Sequence, residues 1–239
     1  EKEMNYTETL KKIEDENYLI GMISVDDILR FGYSLELNEN SKVLDLCCGY
    51  GTLLKIWSEE FGVTGRGVDQ FEYFLNVGKQ RLQDSKNRRV ELICDDVMLY
   101  QDEEKYDVVI CSETIDSVEI TIQLGEKFLK PGGILVFHKL YTKTDHVPQE
   151  LIDFDGDIHS LAELYHIFAE FGYCISHMAT GNNDSFERYI MREERNNIEK
   201  MNQNPGDESA KQWVKEWNRM YFEYRRHYEE QALFGLTKI

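Results

Sequence analysis

Residues 43–51, Val-Leu-Asp-Leu-Cys-Cys-Gly-Tyr-Gly, constrain this chain more than any other stretch. Val43, Leu44 and Leu46 form an apolar run that reads as a buried strand, and the run ends in a glycine-spaced turn. Thr52-Leu53-Leu54-Lys55-Ile56-Trp57 then reads as the start of a helix. A strand, a glycine turn and a helix in that order let backbone N–H groups approach a nucleotide-containing ligand. Taken alone the turn is a weak signal, because glycine also serves ordinary tight turns.

Three distant stretches supply the partners such a unit needs. Thr64-Gly65-Arg66-Gly67-Val68-Asp69 reads as a second strand tipped by a carboxylate, where a nucleotide-binding unit holds ribose hydroxyls. Val90 to Asp96 reads as a third strand with an acidic end, and Leu129-Lys130-Pro131-Gly132-Gly133 feeds the apolar run Ile134 to Phe137. A strand-end aspartate alone is often only a turn or cap residue. The ordered set points to a nucleotide-like cofactor.

These residues resemble the class I S-adenosylmethionine-dependent methyltransferases. The first motif of that family reads acid-x-Gly-x-Gly-x-Gly, and this chain has Asp45-x-Cys47-x-Gly49-x-Gly51. The resemblance runs from about Ser41 to Thr180 and again from Ala232 to Ile239. Within the family it is similar to the small-molecule branch typified by bacterial YjhP-type methyltransferases, on Asn204-Pro205-Gly206-Asp207, the aromatic segment Trp213–Tyr228 and Leu233-Phe234-Gly235. A nicotinamide-dependent dehydrogenase is the rival. Its usual Gly-x-Gly-x-x-Gly is broken here, because Leu54 stands at the third glycine. Cys47 departs from the methyltransferase pattern, since a Cβ strains positive φ. Either the turn takes ordinary φ there or cofactor affinity is weakened.

The resemblance implies a Rossmann-like, doubly wound α/β fold: a mostly parallel seven-stranded sheet with an antiparallel last strand and a helical insertion before it. Strands are expected near 42–47, 64–69, 90–95, 106–112, 134–140, 173–180 and 232–239, and helices near 51–62, 71–86, 117–130 and 159–171. The alternation itself implies a sheet covered on both faces. Residues 1–40 read as an N-terminal helical extension, 41–180 plus 232–239 as the cofactor-binding domain, and 181–231 as the insertion. Asn182 and Asp207 are candidate helix caps within that insertion. Trp213, Trp217, Met220, Tyr221, Tyr224 and Tyr228 make one aromatic stripe, suited either to core packing or to covering a partly wet pocket.

The same resemblance assigns roles. Asp45 would face the methionine end of S-adenosyl-L-methionine, with Cys47, Gly49 and Gly51 lining the turn by backbone. Asp69 would accept from both ribose hydroxyls, with Gln70 beside the adenine, Asp96 and Val97 at its ring, and Cys111 and Ser112 bordering the methionine moiety. On the acceptor side Tyr141, His138, Glu113 and Tyr50 fall at strand ends or turns facing the cleft, with Tyr141 favoured for substrate contact. The reaction implied is in-line methyl transfer to a small-molecule acceptor. The alternatives are binding without turnover, or methylation of a protein or RNA.

Charge bears on the alternatives. The 239 residues carry 27 basic against 45 acidic side chains, a net of −18. Nucleic-acid affinity comes from neutralising phosphates, so a nucleic-acid partner is disfavoured, as is an anionic membrane surface. The five cysteines lack framework or metal-site spacing and are expected to be buried thiols in a reducing compartment. No basic segment leads into an apolar one and no apolar run reaches membrane-spanning length, so a cytoplasmic protein without bound metal is expected.

Overall fold

The computed structural model describes residues 6–83, 89–112, 117–156 and 158–239. Two helices come first, α1 (Tyr6–Asn17) and α2 (Val25–Ser34). Ser24 caps α2: its side chain accepts from the Asp27 backbone while the Asp27 side chain accepts from the Ser24 backbone, a reciprocal capping box. The alternating region follows as β1 (Lys42–Leu46), α3 (Thr52–Phe61), β2 (Thr64–Asp69), α4 (Glu72–Gln83), β3 (Val90–Cys94), β4 (Tyr106–Ser112), α5 (Val118–Glu126) and β5 (Leu129–Thr142). Then come α6 (Gln149–Asp155), α7 (Leu161–Glu170), β6 (Tyr173–Thr180), α8 (Asn183–Gln203), α9 (Glu208–Met220), a π-helical turn (Tyr221–Arg225), the short α10 (Arg226–Tyr228) and β7 (Glu229–Lys238).

The seven strands lie in the order β3-β2-β1-β4-β5-β7-β6, with β7 antiparallel to both of its neighbours. The chain winds outward from β1 to β3, then returns to place β4 on the other side of β1. That reversal opens a crevice at the carboxyl ends of β1 and β4, the place where open α/β sheets bind ligands.

Side-chain parity decides which residues can reach the crevice, because successive strand residues point to opposite faces. On one face Leu44, Leu46, Val109, Cys111, Leu135, Phe137 and Tyr141 pack with Phe168 and Ile122. On the other Val43, Val108, Ile110, Val136 and Leu233 pack under Phe31, Leu54 and Trp57. Asp45, Ser112, His138 and Gln231 continue this second face beyond the apolar layer.

Two expectations change. All five cysteines are free thiols, but only Cys111 is buried, while Cys94 and Cys174 are exposed. The exposed pair sits on β3 and β6, the two edge strands. The aromatic stripe divides: Tyr221 is buried against Phe186 at 5.6 Å, whereas Trp213 stacks on Phe154 at 6.0 Å and Trp217 meets it tilted at 5.7 Å. Phe154 belongs to α6, a helix the sequence pattern does not announce. Asn182 and Asp207 cap α8 and α9 as their positions suggest. No described helix is long and apolar enough to cross a membrane.

Candidate functional site

The turn after β1 is held by the strand beside it. Cys47 and Cys48 donate their backbone N–H groups to the Val68 carbonyl at 2.8 and 3.1 Å. Gly49 donates to one carboxylate oxygen of Asp69 at 2.8 Å, and Phe71 donates to the other at 2.9 Å. Asp69 therefore ties the first turn to the second, and each oxygen keeps a lone pair for a further donor. Gly49 and Gly51 have φ of +54° and +66°, and a Cβ at Gly49 would stand 2.8 Å from Ile20. At both positions glycine avoids the strain of positive φ together with a side-chain clash, with Ile20 at Gly49 and with Leu92 at Gly51.

Cys47 has φ +64°. Of the two alternatives left by its departure from the glycine pattern, ordinary φ does not hold, and a side chain is carried in the left-handed region at a cost of roughly 1 kcal/mol. Cys47→Gly is expected to keep the turn and leave cofactor affinity within about threefold, while the β-branched Cys47→Val adds on the order of 1–2 kcal/mol of strain. Thermal melting with and without S-adenosylhomocysteine checks this; a Val variant as stable as the parent refutes the strain.

A cavity of about 640 Å³ opens over this turn. Asp45, Cys47, Gly49, Tyr50, Asp69, Gln70, Asp96, Val97, Ser112 and His138 all line it. Three of the remaining candidates stand elsewhere. Gly51 caps α3 behind the lining, with Leu92 2.7 Å from where its Cβ would be. Cys111 and Tyr141 are corrections: odd parity turns both to the opposite face, where they are buried in the other core. The Tyr141 hydroxyl donates to Glu230 at 2.7 Å, and its ring meets Phe234 edge-on at 5.6 Å. Glu113 lies outside the described residues.

Two lining groups have unusual electrostatics. Asp45 is 3% exposed and its Oδ1 has no hydrogen-bond partner among the described residues. Burial, reinforced by the charge on Asp69, pushes its carboxyl up to about 8. An unpaired buried carboxyl facing a cavity is a seat for a cation. His138 has a buried Nε2 without a partner among the described residues, and burial, partly offset by a hydrogen bond with Gln231, holds its imidazole down at about 4, so the ring is neutral near pH 7.

Sequence reasoning misses part of the wall. Residues 18–23 cross the cavity as a strap, adding Tyr18, Leu19, Ile20, Gly21, Met22 and Ile23; Tyr189 comes from α8 and Gln231 from β7. The Met22 N–H donates to Gln231 at 2.5 Å, Ser185 donates to the Met22 carbonyl at 2.9 Å, and Thr52 donates to the Tyr18 carbonyl at 2.9 Å. Arg192 of α8 donates to the carbonyls of Glu16, Asn17 and Leu19. Among 181–231 the lining takes Tyr189 and Gln231, and none of the Trp213–Tyr228 stripe is in it.

No described group of three or more His, Cys, Asp or Glu side chains is arranged to hold a metal ion. The orphaned Asp45 carboxyl, the doubly anchored Asp69 and the turn with its backbone against the cavity fit a molecule carrying an ammonium at one end and a ribose at the other.

A family model described as "Methyltransferase domain" matches residues 37–222. The chain is 25% identical to the Escherichia coli K12 protein described as "Uncharacterized protein YjhP", over 93% of this chain and 95% of the relative. A crystal structure of a SAM-dependent methyltransferase from Geobacter sulfurreducens in complex with S-adenosyl-L-homocysteine superposes with a TM-score of 0.83 at 25% identity, covering 97% of this chain and 98% of that one. A similarly described structure from Thiobacillus denitrificans gives 0.85 at 23% identity, covering 99% and 100%.

Proposed function

Because the chain belongs to the methyltransferase-domain family, we propose that it transfers the methyl group of S-adenosylmethionine to a small-molecule acceptor held beneath the strap. The observation carrying this reading is the unpaired, buried Asp45 carboxyl at the cavity wall, beside a turn anchored by Asp69. S-adenosylmethionine supplies a methyl already activated on its sulfonium, so the protein's contribution is binding, alignment and exclusion of water.

In this reading Asp45 takes the ammonium, and the Cys47–Gly49 backbone borders the methionine chain with Ser112. Asp69 accepts from the ribose hydroxyls, Gln70 flanks the adenine, and Asp96 and Val97 meet its edge. His138 faces the acceptor. As the acceptor's lone pair forms its new bond to the methyl carbon, the carbon–sulfur bond breaks with its electron pair left on sulfur. His138, held neutral, accepts a hydrogen bond from the acceptor, and any proton released passes to solvent. Holding the two reactants in line supplies most of the acceleration, on the order of 7–11 kcal/mol in well-oriented systems.

The N-terminal extension and the 181–231 insertion act together as a cover on the core of 41–180 plus 232–239, with α8 clamping the strap through Arg192. Five free thiols and a net charge of −18 suit a cytoplasmic enzyme acting on small molecules and not on nucleic acid. Incubation with methyl-labelled S-adenosylmethionine and a panel of small hydroxyl, thiol and amine compounds is expected to yield a labelled product. S-adenosylhomocysteine binding with no product across the panel would favour a binding protein, and no binding at all would sink the reading.

A further inference from the structure

The charge of the cavity wall is one-sided. Its acids among the described residues are Asp45, Asp69 and Asp96, at the ends of β1, β2 and just beyond β3, and the reading above commits all three to the cofactor. No lysine or arginine lines the cavity among the described residues. The nearby cations are engaged by the strap and by lining residues, Arg192 lying over the Tyr189 ring at 5.1 Å and Arg81 donating to Thr52 at 2.9 Å. Arg81 bonds Asp15 at 2.6 Å and lies over the Tyr18 ring at 4.1 Å, while Arg192 is engaged with strap carbonyls.

The lining not assigned to the cofactor is mostly apolar and includes Ile20, Met22 and Leu233 with Tyr189, Gln231 and His138. Gln231 is already used by the strap backbone. Gly21 presses its backbone onto the imidazole so closely that a Cβ there would stand 2.6 Å from His138 Cε1. A carboxylate or phosphate brought into this space would find no cationic side chain among the described lining residues, leaving the cofactor's own sulfonium as its one counter-charge, and burial of an anion without protein partners is unfavourable.

We infer that the methyl acceptor is an uncharged, largely apolar molecule whose single polar handle, a hydroxyl or thiol, pairs with His138 Nε2 as the Gly21 backbone lifts from the buried imidazole, and that acceptors bearing a carboxylate or phosphate are disfavoured by the wall. This rests on the methyltransferase reading and fixes the substrate class of the same site.

The test uses the full chain saturated with S-adenosylhomocysteine, so that no turnover intervenes. Calorimetry first establishes that saturation; its failure counts against the methyltransferase reading and not against the acceptor class. Four probes of matched size are then titrated with ligand-observed NMR: 2-phenylethanol, phenylacetate, phenethylamine and ethylbenzene. The alcohol is expected to bind at least roughly tenfold tighter than phenylacetate and severalfold tighter than ethylbenzene. His138→Phe should remove the advantage over ethylbenzene. Tyr189→Lys, on the half-buried rim, should bring phenylacetate to within about threefold of the alcohol by placing a cation on the wall. Phenylacetate or phenethylamine binding as tightly as the alcohol in the parent protein overturns the uncharged class. Equal binding of alcohol and ethylbenzene overturns the handle, and an alcohol that fails to bind at 20-fold excess over the other probes overturns both.

Discussion

Asp69→Ala is expected to lower S-adenosylhomocysteine affinity by more than about 100-fold and to cost on the order of 2–4 kcal/mol of stability. The two effects share one cause. The carboxylate receives Gly49 N–H at 2.8 Å and Phe71 N–H at 2.9 Å, so truncation strands two backbone donors and releases the β1 turn from the β2 turn. It also removes the acceptors offered to the ribose hydroxyls, each charge-assisted bond contributing roughly 1.5–3 kcal/mol. Asp69→Asn keeps the volume and one acceptor oxygen, and should fall between parent and alanine in both melting temperature and affinity. Calorimetry at pH 7.5 reads the affinity. An alanine variant that binds like the parent would refute the ribose assignment, however much stability it lost.

The first turn is legible in the sequence because its requirements are local. Positive φ at Gly49 and Gly51 and a carboxylate at the end of the next strand can be read from residue type and spacing. What lies past the turn depends on parity. β4 and β5 are covered on both faces, so their apolar runs carry no alternation to mark which face a given residue takes. Cys111 next to Ser112, and Tyr141 near His138, cannot be separated by that pattern, and in each pair the crevice receives the residue of the other parity. The strap is hidden for a different reason. Leu19–Ile23 has neither strand nor helix periodicity, and its position is set by contacts such as Met22 to Gln231, 209 residues apart in the chain. The aromatic stripe reads as a single amphipathic face, but its partner Phe154 sits on a seven-residue helix too short to leave a pattern.

Asp45→Asn separates binding from stability in a way that a merely structural carboxyl would not. With its folded-state value raised from 3.8 to about 8, Asp45 binds more protons in the folded chain than in the unfolded one across that window. Its contribution to stability is therefore greatest at low pH and is lost as pH rises towards 8. Asparagine removes the ionisation, so the ligand-free variant should match the parent near pH 4 and exceed it at pH 8.5 by on the order of 1–3 kcal/mol, or about 2–12 °C in melting temperature for a chain of this size. Cofactor affinity should move the other way. Loss of a buried charge-assisted contact to the ammonium costs about 2 kcal/mol, or roughly 30-fold. At pH 6.5 the parent carboxyl is protonated before binding and ionised after it. Binding therefore releases about one proton, seen as a heat that varies with the ionisation enthalpy of the buffer. The asparagine variant should release none. A parent protein whose binding heat is the same in phosphate and Tris would remove Asp45 from the ammonium. Melting curves of parent and variant that run parallel across pH 4–8.5 would show that the carboxyl is not held unpaired in the ligand-free state.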